Sequence, residues 1–290
     1  MKQHEVAILM ATYNGERFLR EQIESILAQT SQDWHLYIHD DGSNDQTPVI
    51  IQEYAGKYPE LITTLSYPPQ GGACHNFLSM LNRVEAHYYM FADQDDRWHS
   101  NKVEHCLQKM KEVQANGHSP EEMPLIVHCN LRIADEQLNI IHDSFWDACQ
   151  LHPEIYHSLK HRVSSIIPGC TMLFNHKVKD IVGNAENAIM HDYWLTVRTL
   201  AAGGQVIPLA EQLMDYRQHT DNAIGVESCY KTITGLKKLA RCKYLLNAHK
   251  ENYRMLHAAG YGSKTTYWLN KAREFVLVKW KEMRGERYEL

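Results

Sequence analysis

Apolar positions come in short blocks separated by polar turns, and the block length switches between strand and helix. Val6 to Ala11 is a continuous apolar run that stops at Thr12-Tyr13-Asn14-Gly15, which predicts a buried strand and a turn. Between Arg17 and Gln29, Phe18, Ile23, Ile26 and Leu27 recur at helical spacing. His35 to His39 is a second short strand, ending in Asp40-Asp41-Gly42-Ser43, and Asp45 is placed to cap a helix running to about Tyr58. Ile62 to Ser66 predicts a third strand. Gly71-Gly72 breaks the chain, and Cys74 to Val84 reads as a helix. Tyr88 to Ala92 is a fourth strand, ending in Asp93-Gln94-Asp95-Asp96. Strands alternating with helices at this spacing predict parallel βαβ units, hence an α/β fold.

The second half follows another rhythm. Leu125 to Cys129, Thr171 to Phe174, Gln205 to Leu209 and Gln212 to Tyr216 predict strands, and Asp192 to Leu200 a helix among them. From about Glu227 onward the pattern is helical, including Tyr267 to Trp280, and Asn222 to Gly225 marks the expected boundary. No internal repeat or low-complexity segment occurs.

Composition narrows the class. A chain of 290 residues with 44% hydrophobic and 22% charged residues has enough apolar material for one large core and a small appendage. Its net charge of -5 argues against a nucleic-acid partner. The charge is uneven: residues 226–290 hold 14 Lys/Arg against 6 Asp/Glu, a balance of +8, so the rest carries -13. A basic tail of this kind fits anionic lipid or a solvated helical face equally well. Seven cysteines without a CxxC pair point to reduced thiols and a cytoplasmic setting. No apolar run is long enough for a membrane span, and the first one is too short for a signal peptide.

Three successive strands ending in polar or acidic clusters carry the chemistry, because open parallel sheets bind ligands outside the carboxyl ends of their strands. Asp93 and Asp95 form a DxD triplet suited to a hard divalent cation, Mg²⁺ or Mn²⁺, that would bridge a diphosphate. Asp41 stands where a carboxylate could accept the N–H of a pyrimidine, although a DGS turn with a helix cap explains the same residues. Asp192 opens a helix, either as an N-cap or as a general base for an acceptor hydroxyl. His219 is a surface histidine, a metal ligand, or a phosphate contact together with Arg217. A dehydrogenase is disfavoured because no GxGxxG follows the first strand. A nucleotidyltransferase would need a Gly-rich basic loop that TYNGER does not supply. A non-catalytic glycan-binding protein would not need Asp95 and Asp192 together.

The segments ATYNGERFLREQIESILAQT, LYIHDDGSNDQT, FADQDDRW, PGCTMLFN, HDYWL and YRQHTDNAIG, in this order from Val6 to Gly225, resemble family 2 glycosyltransferases with the GT-A fold. DQDDRW, HDYW and YRQHxxN together are most similar to the bacterial branch that adds L-rhamnose to cell-wall, capsular or O-antigen polymers. The resemblance implies a GT-A Rossmann-like, mixed but mainly parallel sheet flanked by helices, with a catalytic domain over 1–225. Within it, 1–97 would hold the nucleotide and 98–225 the acceptor, and 226–290 would be a basic helical extension. It implies that Thr12, Tyr13 and Asp41 hold base and ribose, and that Asn76 lies beside the donor. Asp93 would sit near ribose or metal, and Asp95 would be the principal metal ligand, joined by His219. Arg217 would lie in the loop over the diphosphate, Asp192 would be the base, and Gly169, Cys170, Thr171 and Trp194 would line the acceptor. The expected reaction is inverting, metal-dependent transfer from a dTDP- or UDP-linked sugar to a glycan, free or lipid-linked. Rhamnose is the expected sugar and a UDP-hexose the alternative. The expected place is the cytoplasm, with peripheral contact at the inner membrane face through the C-terminal helices.

Overall fold

A computed structural model of the chain describes residues 4–116, 123–153, 167–220 and 249–284. The nucleotide-side elements are β1 (Val6–Thr12), α1 (Leu19–Leu27), β2 (Trp34–Asp40), α2 (Thr47–Lys57), β3 (Ile62–Thr64), α3 (Ala73–Arg83) and β4 (Tyr88–Ala92). Then come β5 (Arg97–Trp98), α4 (Lys102–Asn116), β6 (Leu125–Ala134), β7 (Ile140–His142) and α5 (Phe145–Ala148). A 3-10 turn (Gly169–Thr171) leads into β8 (Met172–Asn175), α6 (His176–Asp180), α7 (His191–Ala201) and β9 (Gln205–Arg217). A helical stretch, 249–258, precedes α8 (Lys264–Arg284).

The nine strands form one sheet in the order β3-β2-β1-β4-β8-β6-β9-β5, with β7 on β6. β3, β2, β1 and β4 pair in parallel, β8 inserts antiparallel between β4 and β6, and β6 and β9 are parallel. The apolar run of β1 has no polar alternation because both its faces are covered. Val6, Ile8 and Met10 belong to the core on one face of the sheet, with Ile23, Trp34 and Val103. Ala7 and Leu9 belong to the core on the other, with Phe77, Trp194 and Tyr267.

Register delivers the polar turns to one edge. Thr12 lies opposite Asp40, and Met10 opposite Ala92, so the turns after β1, β2 and β4 emerge side by side. β8 runs antiparallel to β4, which brings its leading turn, Gly169–Thr171, to the same edge. β9 ends there too, with Arg217 opposite Ala134.

The first four strands and three helices lie within two residues of their expected positions. The two strands expected over 205–216 are one strand whose register slips between Cys129 and Arg132 of its partner. The slip interrupts a continuous ladder, and Glu211-Gln212 interrupts the apolar pattern that marks it. Asp192 is not an N-cap: Met190 holds that position, and Asp192 sits inside the first turn of α7. The expected boundary at 222–225 lies outside the described residues.

Candidate active site

The donor side is built from the turns after β1 and β2. Thr12 is buried, and its hydroxyl donates to Asp40 Oδ1 at 3.0 Å. The other Asp40 oxygen accepts the Ser43 N–H at 2.9 Å. Asp41 accepts backbone N–H groups from Gln70, Gly71 (3.2 Å) and Gly72 (2.7 Å), which folds the 70–72 loop against the end of β2. Gly71 and Gly72 have positive φ, so this chain path favours glycine at both positions. Tyr13 stands exposed at the turn. Asn76 does not face the open edge: it is buried, and its amide engages the His39 ring at 2.7 Å.

The acidic turn after β4 is held from both sides. Gln94 takes the Tyr13 N–H at 2.8 Å and returns its own amide to the Tyr13 carbonyl at 2.9 Å. Arg217 is buried; its Nε donates to the Asp95 carbonyl at 2.7 Å, its backbone N–H to Asp96 Oδ1 at 3.2 Å, and its guanidinium pairs with Glu21 and lies over the Phe18 ring. Expected over a diphosphate, Arg217 instead braces the acidic turn. His219 Nε2 meets Asp95 Oδ2 at 2.8 Å, so the two residues expected to share a metal stand together.

Asp93, Asp96 and Cys170 bring their candidate ligand atoms within 4.8 Å of one another. Burial, reinforced by the neighbouring Asp95 charge, pushes the Asp93 carboxyl up to about 7 and Asp96 upward as well. Asp96 is fully buried, and its Oδ2 has no hydrogen-bond partner. The chemistry fits a divalent cation: Asp93 and Asp96 come together beside Cys170, and Asp95 stands with His219, so hard oxygens and an imidazole of the kind Mn²⁺ accepts line this turn. A thiol suits softer ions, so Cys170 is the poorest ligand of the group.

Lys102 is a site residue that the pattern did not reveal. It is fully buried, donates to the Cys170 carbonyl at 2.6 Å and to Met214 Sδ at 3.1 Å, and lies 3.7 Å from the centroid of the Trp98 ring. Its charge counters those of Asp93 and Asp96. Its place nine residues beyond Asp93 at the start of α4, a helix the apolar pattern did not predict, gave no signal. Asp215 was missed in the same way. This buried carboxylate receives Arg97 and Arg132, each at 2.6 Å, and His99 at 3.0 Å. Burial alone would push it up, but hydrogen bonds from His99, Arg132 and Arg97 hold it well below the usual carboxylate range.

Asp192 reaches the same centre through the 3-10 turn. Its Oδ2 accepts the Gly169 N–H at 3.0 Å and its Oδ1 the Tyr193 N–H at 2.6 Å. Burial raises its carboxyl, those two donors pull it back, and the balance lies at about 6. The next residue of the turn is Cys170, whose thiol lies within 4.8 Å of the Asp93 carboxylate, and the Asp192 charge itself pushes Asp93 up. One short turn therefore links the predicted base to the acidic cluster. Gly169 leaves room for the His191 ring: a Cβ would stand 2.4 Å from its Nε2, so a side chain here would force the ring or the turn to shift. The His191 ring is buried against Phe77 and Phe91 with both nitrogens unpartnered, and burial lowers it to about 3, so it is neutral. Trp194 does not join the turn: it is buried in the core, and its indole N–H donates to the Val182 carbonyl at 3.0 Å.

The sequence model described as Glycosyl transferase family 2 matches residues 7–181. The dTDP-rhamnosyl transferase RfbG of Shigella flexneri is 28% identical over 235 residues, covering 77% of this chain and 75% of the relative. The putative teichuronic acid biosynthesis glycosyltransferase TuaG of Bacillus subtilis is 32% identical over 107 residues, 37% of this chain and 42% of that one. Among solved structures, the mannosyltransferase PcManGT of Pyrobaculum calidifontis, in complex with GDP-Man and Mn²⁺, has a TM-score of 0.56 at 15% identity, covering 98% of this chain and 83% of its own. S. aureus TarS 1-349 with UDP-GlcNAc has a TM-score of 0.54 at 13% identity, covering 87% and 70%. Against a longer TarS chain the match covers 74% of this chain but only 37% of that one, at a TM-score of 0.51 and 14% identity. The chain belongs to glycosyl transferase family 2 and is built on the GT-A fold.

Proposed function

We propose that the protein is an inverting, metal-dependent glycosyltransferase that passes one sugar, L-rhamnose from dTDP-rhamnose, to a hydroxyl of a cell-surface glycan. The observation that carries this reading is the turn that joins Asp192, through the Gly169 N–H, to Cys170, whose thiol lies within 4.8 Å of Asp93. It puts a base of raised pKa beside a group of carboxylates, as a displacement of diphosphate by a hydroxyl requires. The rhamnose assignment is supported by the DQDDRW, HDYW and YRQHxxN segments and by the likeness to RfbG, and the metal by the carboxylate chemistry and the Mn²⁺ in PcManGT.

In this reading Asp192 takes the proton of the acceptor hydroxyl, which attacks the anomeric carbon opposite the leaving diphosphate. The O–C bond forms as the C–O bond to phosphate breaks, and no enzyme nucleophile intervenes, so configuration inverts. A bound divalent cation, held by Asp95, Asp93 and His219, would neutralise charge on the departing diphosphate. Tyr13, Asp41 and the 70–72 loop offer the surface for base and ribose, supported by Thr12 and Asn76. Gly169, Cys170 and Thr171 form the floor for the acceptor. The nucleotide half would span 1–97 and the acceptor half 98–225. A lipid-linked acceptor at the inner membrane face would suit the basic residues of 226–290. Of that stretch, Lys237, Lys238, Arg241 and Lys243 lie outside the described residues.

A donor panel tests the reading. dTDP-rhamnose should give Mn²⁺-dependent release of dTDP, with UDP-glucose, UDP-galactose and UDP-GlcNAc at least tenfold slower. Faster turnover of any UDP-hexose would transfer the assignment to that donor. Release of pyrophosphate would indicate nucleotidyl transfer, and absence of turnover with every donor would leave a glycan-binding role.

A further inference from the structure

α8 carries its apolar residues on the wrong side for a surface helix. Its inward face is fixed by Tyr267, Asn270 and Glu274, all buried. Tyr267 packs into the core with Met255 and Leu256, and Asn270 donates to the Tyr261 hydroxyl at 2.8 Å. At about 100° per residue, Trp268, Leu269, Phe275, Val276 and Met283 fall on the opposite face, within an arc of roughly 120°. They are exposed there: Phe275 by 65%, Val276 by 63% and Met283 by 79%. A surface helix ordinarily turns polar residues outward.

The charge around this stripe selects its occupant. α8 has six Lys/Arg and two Asp/Glu. One of the two acids, Glu274, is buried and paired with Lys271 at 2.7 Å. Lys264 and Arg273, both exposed, flank the apolar arc on its two sides. A second copy of the chain would set these cationic faces against each other. Residues 221–248, with five Lys/Arg and two Asp/Glu, bear the same sign. Aromatic and aliphatic side chains bordered by cations match the boundary between acyl chains and anionic headgroups, where lysine and arginine stems reach outward to phosphate.

We propose that the outward face of α8 lies on an anionic lipid bilayer. This contact deepens the reading of a membrane-side acceptor, but it is measured without donor or acceptor, so either can fail alone. The full chain should sediment with phosphatidylcholine vesicles containing phosphatidylglycerol about tenfold more strongly than with pure phosphatidylcholine, and salt should weaken the difference. Phe275→Asp combined with Val276→Asp should cut that partition about tenfold or more while dTDP binding and the melting temperature stay unchanged. Both residues are exposed, so the pair should fold; Lys264→Glu supplies a second, milder variant expected to lose part of the partition. Equal sedimentation of wild type and double variant, or none of wild type with anionic vesicles, overturns the proposal. So does a change from dimer to monomer on making the double variant, which would assign the face to a second copy.

A second inference rests on separate atoms. We infer that Gln94, between the two acids of the DxD triplet, is a positioning residue that couples the nucleotide turn to the cation turn. Its amide closes two hydrogen bonds on the Tyr13 backbone, and it fills the space a Cβ on Gly15 would take, 2.2 Å from Oε1. The coupling rests on the donor reading above, and a double-mutant cycle on dTDP affinity separates the two. Gln94→Ala should weaken dTDP binding severalfold and shrink its enhancement by Mn²⁺. Gly15→Ala should be worse in wild type than in the Gln94→Ala background. Additive effects with an unchanged Mn²⁺ enhancement would reduce Gln94 to a structural filler, and failure of wild type to bind dTDP would defeat the donor reading itself.

Discussion

The two sides of the candidate site are built on opposite principles. On the donor side the polar groups satisfy each other. Asp40 is spent on Thr12 and Ser43, Asp41 on three backbone amides, Asn76 on His39, and Gln94 on Tyr13. On the catalytic side, burial leaves capacity unspent. Asp96 Oδ2 and both His191 nitrogens have no partner, Asp93 stands at about 7, and Asp192 at about 6. A satisfied network is rigid and presents a shaped surface. A buried carboxylate cluster that is only partly countered by Lys102 is instead ready to take a cation or a proton.

Perturbations on the two sides should therefore differ in size. The largest effect belongs to the cation. Chelation, or Asp95→Ala, should reduce turnover by about 10³-fold or more in a coupled assay for released nucleoside diphosphate, with recovery of wild type on adding Mn²⁺. Full activity in excess chelator would remove the cation from the account. Next is Gly169→Ala, whose Cβ meets the His191 ring. The shifted turn should lower kcat about 10- to 100-fold with little change in donor KM. A matched loss in KM would place the turn on the donor side.

The pH dependence is smaller and has a definite sign. Asp192 must be ionised to act as a base, and its pKa is raised to about 6. Activity should therefore be full above about pH 7 and fall roughly tenfold per unit below about 6. In Gly169→Ala, a weakened N–H donor would stabilise the carboxylate less, so the acid limb should move to higher pH. A limb near 4, unmoved by Gly169→Ala, would exclude Asp192 as the titrating base. The smallest effect is expected from Thr12→Val. It removes one hydrogen bond from Asp40 while Ser43 remains, so donor KM should rise only a few-fold, consistent with about 1 kcal/mol. A loss as large as that of Gly169→Ala would erase the contrast.

The donor side was legible in the sequence because its strands are buried on both faces and end in short turns. Apolar runs marked β1, β2 and β4, and the motifs sat where the runs stopped. The catalytic side was legible only as isolated motifs. Nothing local in PGCT or HDYW says that Gly169 donates to Asp192, since that bond joins residues 23 apart through packing. Lys102 and Asp215 were invisible because a buried charge looks in sequence like any surface charge until its partners are placed. Arg217 and Trp194 were drawn to the ligand by their motifs, yet the fold uses the first to brace the acidic turn and the second to fill the core. The inverted face of α8 was hidden too, because apolar spacing alone does not say which stripe of a helix turns inward.

The central claim is that Asp192 and the acidic turn serve one reaction in different roles. It is tested most directly by measuring dTDP binding with Mn²⁺ and sugar transfer together in Asp192→Asn. Asp192→Asn should bind dTDP as wild type does, melt within a few degrees of it, and transfer sugar about 10³-fold more slowly. Loss of dTDP binding in parallel with transfer would contradict the account, and would make Asp192 a support for the fold of the turn, with the base elsewhere.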